Sequence, residues 1–325
     1  MIPFVISQYE YVIMFLLIVL IVQLLKRRKI FNDSHIQAFD RLVTELALPA
    51  TIFASLATSS ITAEWVIPVL TMFLAILACI LIAWGVCRLW GIPSATTKGS
   101  IVLLSAFGST YTFASPLISM VFGPQSEEMS LGLMIGTFAV AIPFFTLGVF
   151  IATYFGATKG EDKHPATVLR NFLATPILIT FVLGLCVSVV VTYLHVPGAG
   201  IFSDVFNDFF VVIRSSLDLL VWIAIGLLVR PVKLRTLAPF LALVVAVKMI
   251  IQPALVSYGA YAAGLQVMHQ QVLFVMASMP AGAIAAVLAD RCGCDGGLAA
   301  VLVICTYLIS LVTIPLLLFA HGGFW

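Results

Sequence analysis

Apolar runs recur along the whole chain, each closed by a short polar connection. Ten of them approach the roughly 20 residues needed to cross the hydrocarbon of a bilayer as a helix: 4–25, 37–57, 65–89, 98–123, 129–154, 168–194, 205–229, 236–264, 268–290 and 296–320. Within lipid every backbone amide needs an internal partner, so runs of this length predict α-helical spans. The second run is interrupted by Asp40, Arg41 and Glu45, and hydropathy alone leaves a nine-span reading open beside ten.

Composition agrees with that pattern. Hydrophobic residues make up 62% of the 325 positions and charged residues 9%, far from a soluble domain and close to a polytopic membrane protein. Charge then selects the number of spans. Of sixteen Lys and Arg, fourteen fall in the connections after spans 1, 3, 5, 7 and 9, and the remaining connections carry Glu64, Glu127, Glu128, Asp204 and Asp208 instead. With ten spans the basic connections share one side, which the positive-inside rule makes cytoplasmic. Both termini are then external, and the expected location is the plasma (inner) membrane. The first run has no basic stretch before it and a basic cluster after it, so it reads as a retained span rather than a cleaved signal. The six cysteines lie in spans or in a loop assigned to the inside, so no disulfide framework is expected. Cys292 and Cys294 alone are a weak metal signal; neither a metal nor a cofactor is expected.

The longest polar connection, 156–167, divides the chain into 1–155 and 168–325, with five spans in each half. An odd number of spans puts related halves in opposite orientations, the inverted-repeat plan of many secondary transporters. The placement of breaks supports a relation. Span 4 carries Pro116 within "FGSTYTFASPLISMVFG", span 9 carries Met279-Pro280-Ala281-Gly282, and spans 5 and 10 carry Pro143 and Pro315. Proline removes a donor and clashes with the preceding turn. The freed polar groups of two broken helices at matching places would meet a polar ligand near the midplane. Kinks without function are the plainer reading of either proline alone.

A few charges stand inside spans. Lys248 in span 8 would cost about 2.5–3.5 kcal/mol facing lipid, so it faces protein or water. It either supplies positive charge for an anion or pairs with an acid as a tether. Arg214 and Asp218, spaced i and i+4, can pair on one face of span 7. Glu45, four residues before Pro49, is placed either to titrate with a coupling cation or to sit solvated at the interface. An intramembrane enzyme is disfavoured by the lack of H-E-x-x-H and G-x-S-x-G motifs. A channel or membrane-embedded sensor stays open, although no soluble output domain interrupts the chain.

Taken together, "LALPATIFASLA", "GSTYTFASPLISMVFG", "KMIIQPAL" and "MPAGAIAAVLADRCGCDGGLAAVLVICTYLISLVTIPL" resemble the auxin efflux carrier family, which includes plant PIN proteins and bacterial malate and malonate permeases. The resemblance implies an all-α fold of ten transmembrane helices in two inverted five-helix repeats. A scaffold of helices 1, 2, 6 and 7 would carry a mobile transport domain of helices 3–5 and 8–10, with broken helices 4 and 9 crossing beside the substrate. It also implies elevator-type alternating access and a homodimer formed through the scaffold, with no nucleic acid partner. Lys248 stands where the family carries a basic residue shortly before Pro-Ala. Ser109, Thr110, Tyr111, Thr112, Pro116, Met279 and Pro280 map to the pocket. Where the family places Asn and Gly before the span 4 proline, this chain has Ser109 and Ala114, and span 3 lacks the acid of plant members. A small organic anion is the expected substrate, a carboxylate such as malate or malonate or an auxin-like acid. Export from a negatively charged cell needs no coupling ion, whereas uptake needs H+ or Na+.

Overall fold

The computed structural model describes residues 2–47, 49–51, 53, 63–123, 126–156, 179, 182–183, 186 and 199–320. Almost all of the expected sixth span, the 157–167 linker and the second part of span 2 lie outside the described residues.

Regular structure among these residues is helical. Helix α1 spans Ile2–Arg27, α2 Asp33–Arg41, α3 Val66–Leu89, α4 Ala95–Ala106, α5 Ser115–Phe122, α6 Glu127–Met134 and α7 Val149–Phe155. After these come α8 Ala199–Leu228, α9 Leu234–Val245, α10 Gln252–Ala262, α11 Val267–Ala277, α12 Ala283–Arg291 and α13 Gly296–Ala320. Wider π-helical turns join several of them, at Leu42–Ala47, Thr110–Ala114, Ile135–Ala141, Phe144–Gly148 and Ala246–Ile251. Among the described residues five continuous helical stretches are long and apolar enough to cross a membrane: Val5–Arg27, Val66–Leu89, Glu127–Phe155, Arg235–Ala262 and Gly296–Ala320. The chain is thus a multi-pass membrane protein.

Local chemistry sets the helix ends. Ser94 accepts from Thr97 N at 3.2 Å and Ser126 from Met129 N at 3.1 Å, each satisfying an orphan donor in a first turn. At the other end of α1, Lys26 and Arg27 offset the negative helix terminus. Lys29 then turns left-handed at φ 59°, and Ile30 N closes back to Leu25 O at 3.1 Å.

Contacts between distant segments gather the basic connections at one end of the bundle. Lys26 Nζ donates to Leu227 O at 2.8 Å, and Asp295 N donates to Thr96 O at 3.3 Å. Arg291 forms an ion pair with Glu45, and Gly156 lies so close to the Cys292 carbonyl that no side chain would fit there. At the opposite end Gln8 Nε2 and Tyr9 OH, near the start of α1, reach the carbonyls of Ser310 and Leu311 at 2.6 and 3.1 Å. Between the two ends, α1, α8, α13 and the Thr110–Ala114 turn share an aromatic cluster. Tyr11 meets Phe113 and Trp222 edge-on at 5.0 and 5.1 Å, and Tyr307 lies 4.5 Å from Phe15 and 5.5 Å from Phe113. Such pairs are worth about 0.5–1.5 kcal/mol each beyond the area they bury.

Candidate functional site

Spans 4 and 9 are each broken, and the two breaks meet. After α4 the chain turns extended at Phe107 (φ −105°, ψ 123°); after α11 it runs through Ser278 to Gly282 before α12 begins. Gly108 and Ala281 form an antiparallel bridge, with Ser109 N donating to Pro280 O at 3.0 Å and Gly282 N to Phe107 O at 2.9 Å. Buried amides freed by one broken helix are therefore satisfied by carbonyls of the other. Glycine makes this approach possible. A Cβ at Gly282 would stand 3.2 Å from Gly108 O, and one at Gly108 would stand 2.8 Å from Lys248 Nζ and 3.3 Å from Pro280 O.

The carbonyl ends of both broken helices are served by span 8. Lys248, 1% exposed in the Ala246–Ile251 turn, donates from Nζ to Ala277 O at 2.8 Å, the last residue of α11. Gln252, four residues on, donates from Nε2 to Ala106 O at 3.0 Å, the last residue of α4. One helix face thus caps two helix C-termini, and at α11 it does so with a cation, the charge favoured there. Gln252 Oε1 has no donor among the described residues. Replacing Gln252 by Leu strands the Ala106 carbonyl and lowers stability by about 1–3 kcal/mol, read as a fall in melting temperature.

Beside the bridge lies a cavity of about 60 Å³ lined by Phe107–Thr110, by Val140, Ala141, Phe144 and Phe145, and by Gly282–Ala285. Its wall is largely aromatic and aliphatic; its polar edge is the break in span 4 and the N-terminus of α12. The amides of Ala283 and Ile284 donate to no carbonyl among the described residues, leaving the positive end of α12 directed at this space. The volume suits a few water molecules and is well below the roughly 300–1,000 Å³ of drug-sized sites.

Of the residues singled out in the sequence, Ser109 and Thr110 line the cavity and are buried. Tyr111 and Thr112 continue the π-helical turn, but their side chains lie outside the described residues. Pro280 belongs to the bridge and Met279 is buried beside it. Pro116 stands in the first turn of α5, where its missing amide is tolerated. The break in span 4 is therefore at Gly108 rather than at the proline. Lys248 packs behind Gly108, away from the cavity lining. Glu45, 46% exposed in its side chain, pairs with Arg291 at the basic end, distant in sequence and element from the crossover. Arg214 and Asp218 lie on α8; Asp218 is half-buried, and the Arg214 side chain is outside the described residues.

Two residues at the crossover had no signal of their own. Gln252 stands within "KMIIQPAL" one helical turn after Lys248, and that i, i+4 spacing was the available hint. Tyr307, fully buried on α13, donates from its hydroxyl to Ser109 Oγ at 2.8 Å or accepts from it. A buried tyrosine needs a partner for its hydroxyl.

The sequence matches the family model described as "Membrane transport protein" over residues 8–318. Two archaeal proteins, each named an uncharacterized transporter, are similar end to end. That of Methanothermobacter thermautotrophicus is 24% identical over 311 residues, covering 94% of this chain and 96% of the relative. That of Methanocaldococcus jannaschii is 23% identical over 313 residues, with the same coverage. With helices broken and bridged inside a multi-pass bundle, and with this match over nearly its whole length, the chain belongs to the membrane transport protein family of auxin efflux carrier-like transporters.

Proposed function

We propose that the protein is a secondary carrier of small organic anions, of which malate, malonate and auxin-like acids are the candidates. The observation that carries this reading is the cavity at the bridged breaks. There the amide end of α12 and the hydroxyl-bearing turn after Gly108 face an otherwise apolar space. Helix N-termini favour anions, apolar walls suit a short carbon skeleton, and the Lys248 ammonium adds positive field from behind the bridge. At about 60 Å³ the cavity must widen to admit a dicarboxylate, in keeping with alternating access. In the elevator scheme, helices 3–5 and 8–10 move against a scaffold of helices 1, 2, 6 and 7. The ten helices form two inverted halves, and the scaffold pairs two copies in the inner membrane with both termini outside.

Uptake of radiolabelled malate, malonate and indole-3-acetate into proteoliposomes, under imposed voltage, proton and sodium gradients, tests this reading. One of the three saturates as a substrate. Ser109→Ala, which removes the hydroxyl that Tyr307 holds at the cavity edge, raises its KM about tenfold, the worth of about 1.4 kcal/mol. Failure of all three to move, or ion currents far above carrier rates, defeats the proposal.

A further inference from the structure

We infer that Tyr307 is a positioning residue for the carried anion: its hydroxyl donates to Ser109 Oγ, so that Ser109 offers its own proton to a carboxylate in the cavity. The bond joins side chains 198 residues apart at 2.8 Å, an ordinary length between two hydroxyls. Its direction decides what the serine can give. A hydroxyl has one proton and two lone pairs. A serine that accepts from the tyrosine keeps its proton for a ligand, whereas one that donates to the tyrosine has already spent it. An ionised carboxylate only accepts. Only the first arrangement therefore adds a donor to the amide end of α12 that already faces the cavity.

Both partners are held in place. The backbone of Ser109 is pinned on either side of the residue, its amide donating to Pro280 O at 3.0 Å and its carbonyl accepting from Phe113 N at 3.1 Å. Rotation about χ1 is the freedom left to its side chain, and the bond to Tyr307 selects one rotamer. Tyr307 is fully buried, with its ring 4.5 Å from Phe15 of α1 and 5.5 Å from Phe113, so packing aims the phenol oxygen. Phenylalanine would fill that space equally well; the hydroxyl adds reach. Helix α13 contributes no residue to the cavity lining, yet through Tyr307 it touches a residue that does. The hydroxyls beside it behave differently. Thr306 donates to Val303 O at 2.8 Å and Ser310 to Tyr307 O at 2.7 Å, each bond closing within the helix. In naming a carboxylate as the group that Ser109 serves, the assignment rests on the carrier reading above, whereas the bond and its direction do not.

Two readouts on the full-length protein test the assignment. The tyrosine doublet of the Raman spectrum separates a phenol that donates from one that accepts, and the difference between wild type and Tyr307→Phe in nanodiscs isolates this one among eight tyrosines. The expected difference is that of a donor. Ser109→Ala, which leaves Tyr307 in place, loses the same signal, and it answers the question of direction should Tyr307→Phe fail to fold. In proteoliposomes, uptake is followed with whichever of radiolabelled malate, malonate and indole-3-acetate the wild type carries. Tyr307→Phe raises its KM about fivefold and leaves the maximal rate within about twofold of wild type. Because the phenol acts only through the serine, Tyr307→Phe added to Ser109→Ala changes KM by less than about twofold. A tyrosine that merely packs gives a lowered melting temperature with KM unchanged in Tyr307→Phe, and that result overturns the assignment. Multiplying losses in the double variant overturn it too, as does an acceptor doublet. The doublet is independent of transport: a donor signal without movement of any of the three anions sinks the carrier reading alone, and movement with an acceptor signal sinks the role of Tyr307 alone.

Discussion

Lys248→Met cuts uptake of the transported anion by about 50-fold while the protein stays folded, with a melting temperature within a few degrees of wild type. Both parts come from the burial of the ammonium and its single carbonyl partner. A loss of roughly 50-fold corresponds to about 2.4 kcal/mol, the size of the interaction that two unit charges have at about 7 Å in an effective dielectric near 20. Stability responds differently, because no carboxylate stands within ion-pair distance of Lys248 among the described residues. Removing an ammonium at a helix centre recovers about 2.5–3.5 kcal/mol. Stranding the Ala277 carbonyl costs about 1–3 kcal/mol. These terms oppose each other, and methionine keeps most of the volume. A lysine retained only to hold spans together gives the reverse pattern: a large fall in melting temperature and normal transport by the protein that remains folded. Uptake kinetics and thermal unfolding on the same preparation separate the two.

The sequence disclosed what depends on one segment at a time and concealed what depends on two. The apolar runs at 65–89 and 296–320 became α3 and α13 almost to the residue, because a bilayer-length apolar run leaves a helix as its only satisfied backbone. Pro280 marked its break correctly, since the chain around it is extended. Pro116 misled by eight residues: a proline is tolerated in the first turn of a helix, and the turn before α5 starts a new one. The real marker in span 4 was Gly108, which is needed for close approach to Lys248 and to Pro280 O, neither of them near in sequence. In the same way Gln252 and Tyr307 are chosen by a carbonyl and a hydroxyl on other helices. That Lys248 faces protein rather than lipid was legible. Its amine serves the end of α11 from behind the bridge rather than the cavity lining, a placement set by two other helices. Glu45 offered two readings, and its ion pair with Arg291 ties it to the second broken helix at the basic end.

Gly108→Ala abolishes transport, and it does so through Lys248. The added methyl would stand 2.8 Å from Nζ and closer still to Cε, so the lysine must leave its place against the bridge. That end of the side chain is flexible but fully enclosed, and moving it breaks the bond to Ala277 O. Overpacking of this kind costs about 1–3 kcal/mol, here with the loss of the capping cation added. Pro280 O, 3.3 Å from the new methyl, yields less easily because it accepts from Ser109 N in the bridge. The two closest approaches are both to Lys248, which makes its share of the strain separable. In Lys248→Ala the space behind Gly108 is empty, so adding Gly108→Ala to that background costs little. A double-mutant cycle on unfolding free energy should therefore give a coupling of about 1–3 kcal/mol, with the double variant more stable than the sum of the singles implies. Additive losses would mean that the alanine strains the bridge itself, and that the fit between glycine and lysine is not what keeps position 108 free of a side chain. Transport distinguishes the partners further: the double variant regains stability without regaining uptake, because the methyl is accommodated only where the charge has gone.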